Sequence, residues 1–299
     1  MKILFAFIKR NIKLFFKDKG MFFVSLITPM ILLVLYATFL ADVYRDAYVQ
    51  TFSMLPAGTV PDDLIDGCVA GQLFSSLLAV SCVTVAFCSN LLMVQDKTTG
   101  VRKDLLMSPA KRSTLAIGYY AASMISTLII CVAATLVSFI YMATSGWYLS
   151  VGDVCLIFVD IFLLVLFGTA LSSVINVFLT TQGQSSAVGT IVSSGYGFIC
   201  GAYMPISQFG DGLQKVLSFL PSTYGTSLLR THSLQGAFAE MAEIGVPDAM
   251  MAELKNVVDC SVQFFGTDVS AGAMYAIVIG WIAVLIGAYI LLNKYKIKG

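Results

Sequence analysis

The chain has 299 residues, of which 58% are hydrophobic and only 12% charged, with a formal net charge of +1. A soluble domain carries about a quarter charged residues, and a soluble core of this size could not hide so much apolar surface, so lipid is the solvent for most of the chain. The near-zero net charge excludes a global basic field of the kind that draws nucleic acid.

Residues 1–19 read as an amphipathic helix. Leu4, Ile8, Ile12 and Phe15 form one apolar stripe at helical spacing, and Lys2, Lys9, Lys13 and Lys17 gather opposite. Such a helix lies in the interface with its lysines on anionic lipid phosphates. It serves either as a plain flank to the first span or as a lever along the cytoplasmic surface.

A membrane crossing needs about 20 apolar residues, each adding about 1.5 Å, to traverse a hydrocarbon core of about 30 Å. Six runs qualify: 21–40, 69–94, 115–141, 154–179, 187–204 and 271–292. The first is longer than a signal-peptide core, and no small-x-small cleavage pattern follows Leu40, so it is expected to be a retained anchor. The fifth is the shortest and ends in Gly201 and Pro205, which suggests a broken or re-entrant end.

Between the spans, residues 41–68 read as a solvated outer loop bearing Asp42, Asp46, Asp62, Asp63 and Asp66 and punctuated by Pro56, Gly58 and Pro61. The loops at 142–153 and 180–186 are short. Residues 205–270 form a longer external segment. There Leu213, Val216, Leu217 and Leu220 repeat at helical spacing, Pro221 ends that helix, and Ser222 or Thr223 caps a second one carrying Tyr224, Leu228 and Leu229. The expectation is two short amphipathic helices at the outer rim, within 209–234, dipping partly into the membrane.

The basic residues choose the orientation. The N-terminus holds Lys2, Lys9, Arg10, Lys13, Lys17 and Lys19, the 95–113 loop holds Lys97, Arg102, Lys103, Lys111 and Arg112, and the C-terminus holds Lys294, Lys296 and Lys298. Six crossings place these 14 of the 18 bases on one face, leaving Arg45, Lys215, Arg230 and Lys255 on the other. By the positive-inside rule both termini are cytoplasmic in a multi-pass plasma-membrane protein.

Sites of chemistry are few. The chain has no GxxxxGK[ST] phosphate loop, HExxH or Gly-x-Ser-x-Gly. The seven cysteines, in apolar runs for the most part, form no CxxC or Cys/His cluster, so neither a metal nor a cofactor site is expected; Cys68 and Cys260 are both placed outside, but their spacing demands no bridge. His232, the only histidine, is expected outside as a solvated or capping residue. Asp160, two turns into the fourth span, is the one intramembrane carboxylate; it faces a water-filled vestibule, pairs with a polar neighbour or snorkels to the interface. Tyr196, Phe198 and Tyr203 stand beside Gly195, Gly197 and Gly201, either lining a path or packing helices through small residues.

The segment QDKTTGVRKDLLMSPAKRS, residues 95–113, carries seven charges between two apolar runs. Thr98 or Thr99 caps a short helix there and Pro109 stops it. Val101 and Leu105 share one face with Leu106 alongside, while Arg102 and Lys103 point elsewhere. Two turns are not stable alone in water, so the helix docks on headgroups or on a partner protein with pockets for Val101, Leu105 and Leu106.

The sequence resembles the permease subunits of ABC-2 type ATP-binding-cassette exporters. Asp96, Thr99, Gly100, Leu105, Leu106, Ser108, Pro109, Lys111 and Arg112 look like that family's cytoplasmic coupling segment, and the N-terminal helix like its connecting helix. The Gly201–Pro205 break and Leu220-Pro221 with Arg230 are similar too. Gln95, Val101 and Asp104 depart from the family pattern. The resemblance implies an all-α membrane protein: a single permease domain of six spans with an N-terminal amphipathic interface helix, a cytoplasmic coupling helix and re-entrant outer helices. It implies a non-catalytic permease paired with a second copy or paralogue across spans one and five. ATP and magnesium would sit on a separate nucleotide-binding ATPase subunit gripping the 100–108 helix, with Thr99, Gly100, Val101, Arg102, Lys103, Leu105, Leu106, Ser108 and Pro109 as the coupling residues. Tyr196, Phe198, Tyr203, Pro205, Leu220, Pro221 and Asp160 would be candidates for the pathway and its outer gate. The expected substrate is an amphiphile, such as a drug-like compound, peptide or lipid, with a polysaccharide as the alternative. A lipid-modifying membrane enzyme is the rival of another class.

Overall fold

The computed structural model describes residues 2–52, 56, 59–108 and 110–295; Gly58, Pro109, Lys296 and Lys298 lie outside them. The described chain is nearly all helix. Helix α1 (Lys2–Lys17) ends at Asp18, whose carboxylate accepts from the Met21 amide and so starts α2 (Lys19–Leu35). A π-helical turn at Tyr36–Leu40 leads without a break into α3 (Ala41–Phe52). Then come α4 (Asp62–Thr98), α5 (Val101–Met107), α6 (Arg112–Ser145), α7 (Val151–Phe178) and α8 (Gln182–Ile199). Beyond them lie α9 (Asp211–Leu217), α10 (Pro221–Glu243), α11 (Asp248–Val257), a two-stranded hairpin of β1 (Gln263–Phe264) and β2 (Thr267–Asp268), and α12 (Ala271–Tyr295).

Helix α4 is the axis of the molecule. It runs 37 residues and is buried on every face along most of its length, packed by α2, α3, α6, α7, α8 and α10. Its apolar side chains fill the core, and its polar ones are matched in turn. Gln72 accepts from the Tyr48 hydroxyl at 3.1 Å, and Ser76 from Arg230 at 3.0 Å. Ser89 meets Ser123 at 2.6 Å and Thr127 at 3.0 Å. Asn90 donates to Ser172 at 3.0 Å and Ser173 at 2.8 Å. In lipid an unmatched polar group costs several kcal/mol, so these pairs fix which face of α4 meets which neighbour. Close approach adds a further constraint. A side chain at Gly168 would put its Cβ 2.9 Å from the Val83 Cα and 3.0 Å from the Cys82 carbonyl, so α7 lies directly on the backbone of α4.

Among the described residues, five helical stretches are long and apolar enough to cross a membrane: Lys19–Phe52, Asp62–Thr98, Arg112–Ser145, Val151–Phe178 and Ala271–Lys294. The expected fifth run appears as α8, which is not apolar enough to join them, because Gln, Ser, Thr and Gly fill much of it. Several boundaries also move. The expected loop at 41–68 is mostly helix: α3 prolongs the first span, and α4 starts at Asp62, where Arg45 pairs with Asp62 at 2.9 Å and Asp66 at 3.2 Å. Acids expected to be solvated are thus partly tied down.

Pro221 does not end a helix but opens α10 at its first turn, where its missing N–H costs nothing. Neither Ser222 nor Thr223 caps it; the N-cap is Leu220, with no side-chain cap bond. The second outer helix is not short either. It runs 23 residues, and its buried side, from Pro221 to Met241, packs into α4, α7 and α12. All seven cysteines are free thiols, Cys68 and Cys260 being buried rather than facing out.

Gly168→Leu forces two packed backbones apart. Overpacking of this kind costs about 1–3 kcal/mol, so the purified variant is expected to unfold at lower temperature than wild type. An unchanged melting temperature contradicts this packing.

Candidate functional site

The charged segment 95–113 stands at one end of the bundle, and α1, α6, α7 and α12 hold it there. Asp96, at the end of α4, is buried. Arg10 of α1 grips its two oxygens, Nη1 to Oδ2 at 2.8 Å and Nη2 to Oδ1 at 3.2 Å, and the Tyr119 hydroxyl donates to Oδ2 at 2.7 Å. The fork geometry makes this a strong pair. The hydrogen bond to Asp96 raises the Arg10 guanidinium above its usual range, against the opposing effect of burial. Phe7 packs edge-on against Tyr119, ring centres 4.9 Å apart. Lys97 closes the end of α7, its Nζ donating to the carbonyls of Asn176, Val177 and Leu179 at 2.5–3.2 Å. A cation is favoured there by the helix dipole.

α1 therefore seats one side on the bundle, where the expectation was a stripe lying in the headgroup region. Phe7, Asn11 and Phe15 are buried. Of the predicted stripe, Leu4, Ile8 and Ile12 are half-buried. Phe5, Ile8, Ile12 and Phe16 line an open groove rimmed by Lys9, Lys13 and Lys17. The helix thus has one side for protein and one for the interface. A single amphipathic stripe in the sequence does not separate the two.

After Lys97 the chain turns at Gly100, whose φ of +85° lies in the left-handed region that favours glycine. Thr98 and Thr99 do not cap the next helix; both hydroxyls bond back to the Gln95 carbonyl and finish α4. Gly100 itself is the N-cap of α5 and supplies no side-chain bond. The Leu105 and Leu106 side chains are half-buried against Phe7, Met93, Leu115, Tyr119, Val177 and Tyr289. Val101 and Arg102 are also half-buried, and Arg102 reaches Asn293 of α12 at 3.3 Å. Lys103, Asp104, Met107 and Ser108 are exposed, Met107 at 89%. The leucines expected to fill a partner's pockets are thus seated largely on their own chain, and the outward face belongs to Lys103, Asp104 and Met107. Pro109 lies outside the described residues.

At the opposite end a buried cation organises the fold. Arg230 of α10 is 1% exposed. It donates to Ser76 at 3.0 Å, to the Gly201 carbonyl at 2.9 Å and to the Val258 carbonyl at 2.9 Å, and meets Asp259 at 3.4 Å. Asp259 also accepts from the backbone amides of Ile206, at 2.5 Å, and Ser207, at 3.2 Å. Burial pushes its carboxyl up, while Arg230 and those amides pull it back. One guanidinium so ties α4, the break after α8 and the turn after α11.

Asp160 neither snorkels nor stands in an open vestibule. It is 2% exposed, with His232 Nδ1 at 2.6 Å from Oδ2 and the Tyr275 hydroxyl donating to Oδ1 at 2.6 Å. His232 is likewise buried, not solvated, because α10 runs back into the bundle. The sequence signal missed was the helical register of His232 with buried Leu228 and Leu229 beyond Pro221.

The other pathway candidates are scattered. Tyr196 is buried in the main core. Phe198 is exposed and stacks edge-on with Tyr203 at 5.1 Å, while Tyr203 folds back over Gly197 and donates to the Ser193 carbonyl at 3.2 Å. Pro205 is buried beside Tyr48 and Leu254, and Leu220 and Pro221 form the start of α10.

A family model described as ABC-2 type transporter matches residues 3–232, well over half of the chain. No curated protein matches it.

Arg10→Met strands the Asp96 carboxylate. Removing one partner of a buried pair costs about 3–5 kcal/mol, and the partial exposure of Arg10 lowers that here to about 2 kcal/mol. The expected result is release of α1, read as faster maleimide labelling of a Phe7→Cys reporter in the Arg10→Met background. Equal labelling rates with and without Arg10 contradict the seat.

Proposed function

The chain belongs to the ABC-2 type transporter family, and on that premise we propose that it is the transmembrane subunit of an exporter moving an amphiphilic substrate, powered by ATP hydrolysis elsewhere. It is a multi-pass membrane protein, and family membership implies association with an ATP-binding subunit. In this reading the chain crosses six times, α8 being the additional span, and both termini with residues 95–113 face the cytoplasm.

The observation that carries the proposal is the mounting of α5. A seven-residue helix has too little intrinsic stability to stand alone. Here half-burial of Leu105 and Leu106 contributes about 1 kcal/mol each, and Arg102 adds a tie to α12. Its outward face is left exposed and is not apolar throughout, as suits a socket for a soluble protein. The ATP-binding subunit docks on Lys103, Asp104 and Met107. Force applied there reaches α4 through the Gly100 elbow, and α1 and α6 through Asp96.

A second copy, or a paralogue, completes the path. α8 exposes Ser186, Thr190 and Ser194, whose side chains include hydroxyls bonded back to the helix at Thr190 and Ser194. Gly189 and Gly195 leave open space beside them. A surface of small and hydroxyl-bearing residues packs well on another helix and poorly on lipid. α2 also exposes apolar side chains, Phe23, Ile27, Met30, Ile31 and Val34. The substrate would pass between the two α8 helices.

Lys103→Glu combined with Met107→Asp changes the exposed face and leaves the seat intact. The expected outcome is an unaltered melting temperature with transport-coupled ATP hydrolysis of the reconstituted assembly falling about tenfold or more, as for loss of an interface hot spot. Unchanged assembly and hydrolysis would reject α5 as the docking element.

A further inference from the structure

A polar pocket of about 580 Å³ lies between α9 and the hairpin, walled by Ser207, Asp211, Gln214, Lys215, Asn256 and Phe265. We propose that it receives the headgroup of a zwitterionic phospholipid-like amphiphile, whose tails leave across Phe219, Phe264 and Phe265. The inference rests on the orientation adopted above, which puts this end of the bundle at the outer leaflet.

Charge is the first argument. Asp211 and Lys215 are both exposed, stand one helical turn apart, and line the pocket together. Among the described residues neither has an ion-pair partner, and they do not bridge each other. Asp259 reaches the pocket too, but its oxygens are already engaged by two backbone amides and Arg230. The pocket therefore offers one cation and one anion. That combination matches a phosphate joined to an ammonium, and it favours neither a simple anion nor a simple cation.

Hydrogen bonding gives the second argument. Gln214 spends its amide N–H groups on the carbonyls of Ser207, at 3.1 Å, and Phe209, at 2.7 Å. This fixes the side chain and leaves Oε1 as an acceptor for a ligand donor.

The third argument is the apolar rim. Phe219, Phe264 and Phe265 form a mutual edge-to-face cluster with ring centres 4.9–5.8 Å apart. All three are exposed, as are Leu213 and Val216 on α9. Phe265 sits at φ +50°, in the left-handed region where a bulky residue is rare, and Gly266 follows at +82°. A two-residue hairpin turn needs positive φ at both central positions, and here it carries Phe265 at its tip, with Phe264 beside it at the end of β1. A contiguous apolar patch beside a polar pocket suits a molecule with a head and tails. A saccharide would use the rings and amides but would not call for both charges.

The test uses the full chain in preformed phosphatidylglycerol vesicles. A phosphatidylcholine carrying a diazirine near the glycerol end of one acyl chain is added to the outer leaflet and irradiated, and crosslinked peptides are mapped. Labelling within 207–219 and 256–266 is expected. Lys215→Gln should lower it about tenfold, the worth of one charge-assisted contact, and Phe265→Gly should lower it too while relieving the backbone. A phosphatidylglycerol probe with the same diazirine should label the pocket more weakly. Labelling confined to the spans, labelling unaffected by Lys215→Gln, or equal labelling by the two probes overturns the proposal. Should Phe265→Gly fail to fold, the exposed Lys215→Gln still decides. If only probe placed in the cytoplasmic leaflet labels the pocket, the site is supported and the orientation above is overturned.

Discussion

Lipid offers no hydrogen bonds, and the structure is organised by that constraint along one helix. α4 carries a glutamine, an asparagine, an aspartate and several hydroxyls through the middle of the bundle, and each of its principal contacts is a bond to a different neighbour: Tyr48, Arg230, Ser123, Ser172 and Arg10. Exchange of any neighbour leaves a polar group stranded, so the bonds specify the arrangement as well as stabilise it. The apolar surface drives the chain into the membrane but discriminates poorly between helix partners once there.

The same helix joins the two polar clusters at opposite ends. Ser76 touches Arg230 and Asp96 touches Arg10, and the twenty residues between them span about 30 Å at about 1.5 Å per residue. With α7 lying on its backbone at Gly168, α4 has little room to bend. On the proposed reading a displacement at α5 would be transmitted as movement of a rod, and the Arg230 cluster is where such movement would reach the break after Ile199 and the turn at Asp259. The buried Asp160–His232–Tyr275 group ties α7, α10 and α12 together.

Much of this was legible beforehand, for a physical reason. Apolar runs and basic flanks respond to the bilayer itself, so the long helices and the charged 95–113 loop could be read from composition. A short helix stands at α5, but Gly100 bounds its start, not Thr98 or Thr99. What composition could not show was which polar residues would find each other. His232 read as external because it follows Pro221 in a polar stretch, yet that stretch is the first half of a buried helix. Arg230 gave no sign of its four partners, which come from residues 76, 201, 258 and 259. Leu105 and Leu106 find part of their cover in this chain, through Phe7, Leu115 and Tyr289 brought in from distant helices. The α3 extension was hidden because aspartates, which suggest a loop, sit on a helix that Arg45 ties to the start of α4.

The central claim is that α4 couples α5 to the opposite end as one body. It is tested most directly by electron spin resonance on the reconstituted assembly, with nitroxides on Leu213 of α9 in each of two permease copies. Trapping the ATP-bound state of the partner subunit should shift the distance between these labels. A distance that stays fixed on ATP trapping, although α5 moves, would contradict the account.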